Sequence, residues 1–299
     1  MDKYTLSSQY YIVLGDNQVI DQCLPEGITF SNQTLNIDTH SKVELQVIYQ
    51  VQKELKVTIH IQPRVEINMI ETKMMASHAI LNKDMMIEHD AIVHTFSENL
   101  YHNDESIQCV EKTYLKENAN SDCGYAELSD GSNDSQYHYY LDGEGASAKV
   151  RMAILSKEVE KKHFEVLIHH NYPHTYGQMD NYGVAKDEGH LIIDGIGTIT
   201  KGQHGSATHQ TNKIMVFDEK CVAGANPYLY IDDYDVKASH AAGVGKMDEE
   251  HLYYLQSRGL SKKQAMQLIT YGYLKPVMDF TDNEQVKERF EKALLKVGD

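Results

Sequence analysis

Histidine is plentiful in this sequence of 299 residues, which contains 16 of them. Imidazole binds iron and zinc well, so a metal site is one chemistry that these side chains could support. Their spacing matches no compact motif such as His-Glu-x-x-His, so a surface or hydrogen-bonded core position is the default expectation for each. The histidines that cluster in the second half of the chain are His169, His170, His174, His204, His209 and His240.

The four cysteines are Cys23, Cys109, Cys123 and Cys221. They form no Cys-x-x-Cys pair and are too few for a disulfide framework, which is typical of a protein from a reducing cytoplasm. Cys221 is the best-placed thiol for cluster chemistry, because Fe–S clusters are held mostly by thiolates. One thiol cannot hold a cluster, so the other ligands would come from distant parts of the chain or from another chain. The alternative is a buried apolar cysteine.

Three acidic residues, Asp232, Asp233 and Asp235, form a group that could bind a cation or cleave a sugar chain, as carboxylate pairs do in glycosidases. Hydrated turn residues are the commoner explanation for such a group. The chain has neither a Gly-Lys-Ser/Thr phosphate loop nor a Gly-x-Ser-x-Gly nucleophile turn. We therefore expect that the chain does not itself hydrolyse ATP.

The formal net charge is −16, from 44 acidic and 28 basic residues. Nucleic acid is an unfavourable partner for such a chain, because binding it requires a concentrated basic surface. No apolar run approaches the roughly 20 residues that cross a bilayer, and the N-terminus lacks the apolar core of a signal peptide. We expect a cytoplasmic protein that binds neither nucleic acid nor membrane.

Alternating apolar residues predict the strands that position these side chains. Leu55, Val57, Ile59 and Ile61 alternate with polar residues, which is the period of a strand with one buried face. Similar bursts recur as far as residue 231 without a long amphipathic helix between them, so strand–helix–strand units are not expected. This pattern is compatible with a sandwich, a barrel or a β-solenoid. The polar stretch 116–136 is expected to form loops.

The tail of the chain carries helix signals instead. Residues 248–250 supply an acidic first turn, and Gly259 supplies a C-terminal stop. The segments 261–264 and 281–284 both have the pattern of a capping box. Three short helices with apolar stripes are therefore expected, and they must either dock on the strands or hold a partner.

Several segments resemble the SufB/SufD family of the Suf machinery, which builds iron–sulfur clusters. The resemblance is specific over roughly residues 165–275 and diffuse over roughly 40–165. The matching segments are His-Asn-Tyr-Pro-His-Thr at 170–175, the glycine-bounded segment 189–195, Thr-Asn-Lys at 211–213, Asp-Tyr-Asp-Val-Lys-Ala-Ser-His at 233–240, Gly-Lys-Met-Asp-Glu-Glu at 245–250 and Leu-Gln-Ser-Arg-Gly-Leu-Ser at 255–261.

The resemblance implies a mainly β fold, a right-handed parallel β-helix followed by a small α-helical module. We expect a short lead-in over residues 1–40, the β-helix core over 41–245 and the helical module over 246–299. The usual N-terminal helical region of the family is expected to be missing from this chain.

The resemblance further implies a non-enzymatic scaffold with two protein partners. A SufC-type ABC ATPase would bind the helical module, and its ATP-driven dimerisation would open the cluster site. A SufB/SufD-type chain, either a paralogue or a second copy in a homodimer, would pair with the last strands. No cofactor is expected to stay on the isolated chain, although iron or an Fe–S cluster could be held transiently in the complex. The residues expected to bind the ATPase are Asp248, Glu249, Glu250, Leu255, Arg258, Leu268, Tyr271 and Tyr273.

Two positions favour SufD over SufB within this resemblance. Ser239-His240 resembles SufD, whose histidine at that place is implicated at the subunit interface, so His240 is the expected metal-binding residue. Asn212 falls near the position of the cluster-building cysteine of SufB. One alternative is a self-pairing scaffold of a minimal system, in which Cys221 and His240 would carry the cluster chemistry. The others are a β-helix polysaccharide-degrading enzyme and a self-contained metal-binding protein.

Overall fold

A computed structural model describes residues 4–100 and 105–295. Strands account for 55% of the described residues and helices for 14%. The strands within the described residues are β1 (Tyr10–Leu14), β2 (Val19–Cys23), β3 (Ile28–Ser31), β4 (Thr34–Ile37), β5 (Val43–Val51), β6 (Glu54–Ile61), β7 (Glu66–Met75), β8 (Ile80–Ile87), β9 (Ile92–Asn99), β10 (Ser106–Leu115), β11 (Asn120–Glu127), β12 (Ser132–Leu141), β13 (Ser147–Ser156), β14 (Lys161–His170), β15 (Tyr176–Ala185), β16 (His190–Ile199), β17 (Ala207–Val216), β18 (Val222–Ile231) and β19 (Lys237–Lys246).

These strands form two long sheets. Sheet A has the order β19-β17-β15-β13-β11-β9-β7-β5-β1-β2, and sheet B has the order β18-β16-β14-β12-β10-β8-β6-β4-β3. From β5 onwards each coil of the chain adds one strand to each sheet, in parallel with the strand one coil earlier. Ser147, Tyr176, Ala207 and Lys237 stand in one such column. The fold is a parallel β-solenoid of about seven turns, as expected, and the sandwich and the barrel are excluded.

Side chains alternate between the solenoid interior and the surface. Phe164, Val166 and Ile168 of β14 are fully buried, as the two-residue period predicts. The prediction of loops over 116–136 is wrong, because β11 and the start of β12 lie within it. The buried positions in this stretch include Ser121 and Glu127. Because these interior residues are polar, the stretch lacks the alternation of apolar and polar residues that predicts a strand.

Three helices and a 3₁₀ segment follow the strands: α1 (Glu249–Ser257), α2 (Lys262–Leu274), the 3₁₀ segment (Lys275–Phe280) and α3 (Glu284–Leu295). Asp248 caps α1, and Ser261 forms the expected capping box with Gln264. The second capping box is not centred on Thr281. The Asn283 carboxamide oxygen instead accepts hydrogen bonds from the backbone N–H groups of residues 285 and 286, because α3 begins two residues later than the Thr281 pattern suggests.

The helices after α1 pack on the outer face of sheet A. The Arg289 guanidinium also forms a bidentate ion pair with the buried Glu98 carboxylate, with a shortest N–O distance of 2.7 Å. Burial of apolar area is the main stabilising term in such packing. By contrast, α1 has no buried residue. The shared apolar cluster contains Ile70, Phe96, Ala126, Leu128, Ala153, Leu155, Val184, Leu274, Val277, Met278, Val286, Phe290 and Leu294.

The two ends of the solenoid differ. At the N-terminal end, antiparallel hairpins β1–β2 and β3–β4 complete the sheets, and β1 pairs in parallel register with β5. At the C-terminal end, β18 pairs with β16 and β19 pairs with β17, and no described strand covers their other edges. His240, which lies on β19, is therefore at an open end of the solenoid.

Candidate functional site at the open end of the solenoid

The last coil presents two strand edges with which no strand of the described residues pairs. Strands β18 and β19 have ten residues each, and all ten residues of β19 are exposed. A strand of this length is about 33 Å long, and its free edge carries a row of unpaired N–H and C=O groups. Such an edge is a template for pairing with another chain.

The interior columns of the solenoid also reach the surface at this end. Interior positions of β17 are in register with positions of β19, so Gln210 lies beside His240 and Asn212 lies beside Ala242. His240 therefore belongs to an interior column, yet its side chain is exposed because no described strand follows β19. Its imidazole forms no hydrogen bond with any described residue. The ring is free to bind a ligand at the end of the solenoid.

Cys221 does not share a site with His240 within this chain. Its sulfur lies 3.6 Å from the Asp187 carbonyl oxygen, and partial burial raises the pKa of the thiol. The Lys246 ammonium group, at the end of β19, contacts Glu219 at 3.0 Å, so this end of the strand lies near Cys221. His240 lies six residues earlier on the same strand. Six strand residues span about 20 Å. A raised thiol pKa also disfavours the thiolate that metal binding requires.

Polar side chains fill the interior of the last coils. Thr208 and His170 are fully buried and Gln210 is 3% exposed. Each of the three has a side-chain atom without a hydrogen-bond partner in the described part of the chain. Burial, reinforced by neighbouring His169, lowers the pKa of His170 to about 4, so its imidazole is neutral at neutral pH. Sequence analysis did not single out Gln210 or Thr208. The feature that could have identified them is their position: both are polar residues that alternate with surface residues along a strand and so point into the solenoid interior.

Asn212, at the position resembling the SufB cysteine, is part of this polar interior. Its side-chain oxygen accepts a hydrogen bond from Asn181 at 2.9 Å, and its amide donates to the Asn226 carbonyl at 3.3 Å. Both ends of the Asn212 carboxamide are therefore occupied by the fold itself.

The other clustered histidines lie on the surface of the coils. His209 Nδ1 lies 2.7 Å from the Ser239 hydroxyl, and His169 Nδ1 contacts the Thr198 hydroxyl. His174 and His204 meet edge to face, with ring centroids 5.0 Å apart. Within the described ranges, no three His, Cys, Asp or Glu side chains converge closely enough to hold a metal ion.

The acidic group before β19 organises a turn. One Asp233 carboxylate oxygen accepts the backbone N–H of Gly202 at 2.8 Å, and the other accepts that of Asp235 at 3.1 Å. These backbone hydrogen bonds lower the pKa of Asp233. A glycosidase needs one carboxyl group with a raised pKa to act as the acid, and Asp233 has the opposite environment.

Most residues expected to bind the ATPase lie on the projecting helical hairpin formed by α1 and the start of α2. The Asp248 carboxylate caps α1, Leu255 is partly exposed, and the Arg258 guanidinium lies 5.1 Å from the Tyr254 ring centroid. Leu268 is 48% exposed. Glu249 and Glu250 form the acidic first turn of α1.

Two of the residues predicted to bind the ATPase also contact the chain itself. The Tyr271 hydroxyl donates to Glu291 at 2.8 Å, and the Tyr273 ring packs edge to face on Tyr182 at 5.6 Å. Burial raises the pKa of Tyr273 to about 12. These tyrosines help to hold α2 on α3 and on sheet A.

A buried ionic cluster in the middle of the solenoid was also missed by sequence analysis. Lys73 contacts Glu111 at 2.8 Å and Glu127 at 3.2 Å, and Lys83 contacts Glu71 and Glu111 at 2.6 and 2.7 Å. Burial alone would lower the pKa of Lys73, but the Glu111 and Glu127 carboxylates hold it well above its usual value. The signal was available, since Glu71 and Lys73 continue the interior phase of Ile67 and Met69.

The architecture defines a class, a parallel β-solenoid whose last coil is open and whose C-terminal helices dock on one sheet. A family model described as "SUF system FeS cluster assembly, SufBD core domain" matches residues 50–273. The chain belongs to the SufBD family.

Among its relatives, the iron–sulfur cluster assembly protein SufD of Bacillus subtilis strain 168 is 35% identical over 167 residues, which cover 56% of this chain and 38% of that protein. SufD of Escherichia coli K12 is 26% identical over 53% of this chain and 37% of that protein. A SufBD family protein of Staphylococcus epidermidis is 23% identical over 66% of this chain and 41% of that protein. The matched segments thus span less than half the length of these relatives.

A search of the described helices finds none with the length and apolar character needed to span a bilayer.

Proposed function

We propose that this chain is a SufD-like, non-catalytic scaffold for iron–sulfur cluster assembly that works in the cytoplasm. The proposal is carried by one observation: the last coil ends in two unpaired strand edges, with His240 at the end of an interior column. Membership of the SufBD family supports a role in iron–sulfur cluster assembly, and the open end of the solenoid is a surface on which a second chain could pair.

The first part of the proposal is that a SufB/SufD-type chain, a paralogue or a second copy, pairs with β18 and β19. Exposed apolar residues on these strands include Val222, Tyr228 and Val244. An end-on partner would satisfy the free backbone groups and cover these side chains together. Iron or a nascent cluster would then be bound transiently by His240 at the seam, as cargo rather than as a resident cofactor.

Cys221 has a lesser place in this proposal. Because the end of β19 near Cys221 lies about 20 Å along the strand from His240, we expect the two side chains of one copy to bind different ions. Any part that Cys221 plays in cluster chemistry would be at a separate position on the seam.

Substitution at the end of the interior column tests the pairing. Ala242→Arg places a charged side chain on the open end, and we expect it to abolish pairing while the chain stays folded. Val159→Arg is the matched control, because Val159 is 73% exposed and lies in the turn between β13 and β14. Sedimentation and native mass spectrometry measure the assembly. Equal association of the two variants would remove the end-pairing model.

The role of His240 is tested in the assembled complex. His240→Ala is expected to lower the iron retained after anaerobic reconstitution, whereas His209→Ala, one coil earlier on the outer face, is expected to retain it. Unchanged iron loading in the His240 variant would eliminate the proposed role.

The second part of the proposal is that the hairpin of α1 and α2 binds a SufC-type ABC ATPase. An exposed helix with no buried residue is suited to a partner groove, and Tyr253 and Tyr254 are 76% and 55% exposed. All eight residues predicted from the sequence remain in the proposal; Tyr271 and Tyr273 are partly exposed, and each also contacts the chain itself.

A pull-down with the folded ATPase tests this part. Leu268→Glu, which adds a charge to the proposed contact, is expected to weaken capture strongly. Leu295→Glu is the matched control, because Leu295 is 60% exposed at the end of α3. If the native chain fails to capture the ATPase, or if both variants behave alike, the hairpin is not the binding surface.

A further inference from the structure

Gln210 is an unusual side chain in the last coils. It is 3% exposed, and its side-chain amide donates a hydrogen bond to the Tyr228 carbonyl oxygen at 3.0 Å. Its side-chain oxygen, Oε1, is buried and has no hydrogen-bond partner among residues 4–100 and 105–295. A buried acceptor without a donor destabilises the folded state. A hydrogen bond from any donor that can reach this acceptor is therefore strongly favoured.

The next residue in the column is His240. Gln210 and His240 are register partners in adjacent parallel strands, and such strands lie about 4.8 Å apart. The exposed His240 side chain can rotate towards Gln210. At this strand spacing, His240 Nδ1, the ring nitrogen closer to the backbone, can then reach hydrogen-bond distance of Gln210 Oε1.

Neighbouring polar residues do not offer the same contact. Asn212 is already bonded at its oxygen by Asn181 and at its amide to the Asn226 carbonyl. Thr208 also has an unpartnered buried oxygen, but its register partner on β19 is Ala238. Gln210 is therefore the residue that combines an unoccupied buried acceptor with register to His240.

We propose that Gln210 is a positioning residue for His240. The Nδ1–H group of His240 donates to Gln210 Oε1, which fixes the imidazole in the Nδ1–H tautomer. The unprotonated Nε2 then faces away from β17, towards the open end and whatever is bound there. Metal-binding histidines are commonly oriented by such a hydrogen bond at the other ring nitrogen. The effect of this orientation on iron binding rests on the proposed function. The hydrogen bond between Gln210 and His240 does not depend on that proposal.

The tautomer of His240 is measured by ¹⁵N NMR on the full chain with labelled histidine at neutral pH, and the signal is assigned by its loss in His240→Asn. We expect Nδ1–H to predominate in the native chain. Gln210→Leu removes the acceptor and is expected to reduce the ratio of Nδ1–H to Nε2–H about 3- to 10-fold. Gln210→Glu, which keeps an acceptor of the same length, is expected to restore the preference.

Thr208→Val is the matched control, because it also changes a buried polar residue of β17 but faces Ala238. It is expected to leave the tautomer ratio of His240 unchanged. An unchanged ratio in Gln210→Leu, or an equal change in Thr208→Val, would overturn the inference.

A second measurement separates this inference from the proposed function. Fe²⁺ retained by the end-paired assembly is expected to bind about 10- to 100-fold more weakly in Gln210→Leu and normally in Thr208→Val. A native assembly that binds no iron would overturn the proposed function, whereas the tautomer ratio would still decide the role of Gln210.

Discussion

Lys73 offers the sharpest test of how the solenoid interior is stabilised. Its ammonium group is fully buried, contacts the Glu111 and Glu127 carboxylates at 2.8 and 3.2 Å, and donates to the Tyr137 hydroxyl at 3.1 Å. Lys73→Met keeps most of the side-chain volume but removes the charge. Glu111 then keeps Lys83, whereas Glu127 loses the cation that contacts it directly.

The expected cost follows from burial. Breaking a buried ion pair by removing one partner costs about 3–5 kcal/mol, because the remaining charge stays desolvated. Lys42→Met makes the same chemical change at the Lys42–Glu66 pair, whose 2.6 Å contact is about half exposed. Exposed pairs contribute about 0–1 kcal/mol, so this control should change little.

The assay is urea unfolding followed by far-UV circular dichroism, comparing midpoints at unchanged slope. If the free energy of unfolding of Lys73→Met lies within about 1 kcal/mol of that of Lys42→Met, the argument that buried ion pairs stabilise the solenoid interior is refuted. A double variant, Lys73→Met with Glu127→Gln, should recover part of the loss, since the uncompensated charge is removed as well.

Two further changes probe the polar interior of the late coils and the helical module. The folded-state pKa of His170 is about 4, below the unfolded value near 6.5, so unfolding takes up a proton and stability should fall as the pH drops from about 6.5 to 4. His170→Gln should flatten this part of the stability profile, and an unchanged pH slope would contradict the assignment. Arg289→Met leaves the buried Glu98 carboxylate without its cation, so α3 amides should exchange hydrogen faster, by an amount corresponding to about 3–5 kcal/mol. Lys292→Met, at an exposed pair on the same helix, is the control, and equal exchange rates in the two variants would argue against the anchor.

Local sequence signals predicted the elements well where side chains were apolar. The alternation of Leu55, Val57 and Ile59 predicted β6, and the capping pattern at Ser261 predicted the start of α2. They failed where the interior is polar. The stretch 116–136 looked like loops because Asn120, Asp122 and Asn133 suggest turns, yet β11 and β12 pass through it.

The candidate site was only partly accessible to the same reasoning. The resemblance directed attention to His240 and to residues 248–273, but pattern alone could not say which side chains face a partner. Tyr271 and Tyr273 have the same residue type as the exposed Tyr253, and only the packing of α2 on α3 and sheet A distinguishes them.

The sequence by itself determined the two-residue period, the capping box of α2 and the motifs that point to the family, because these depend on neighbours a few residues apart. The tertiary structure decided which side chains meet across coils. Gln210 and His240 are thirty residues apart in the chain but adjacent in register. Likewise Lys73 reaches Glu111 and Glu127 because the coils of the solenoid stack. Contacts of this kind arise from the closure and register of each coil, which no local pattern specifies.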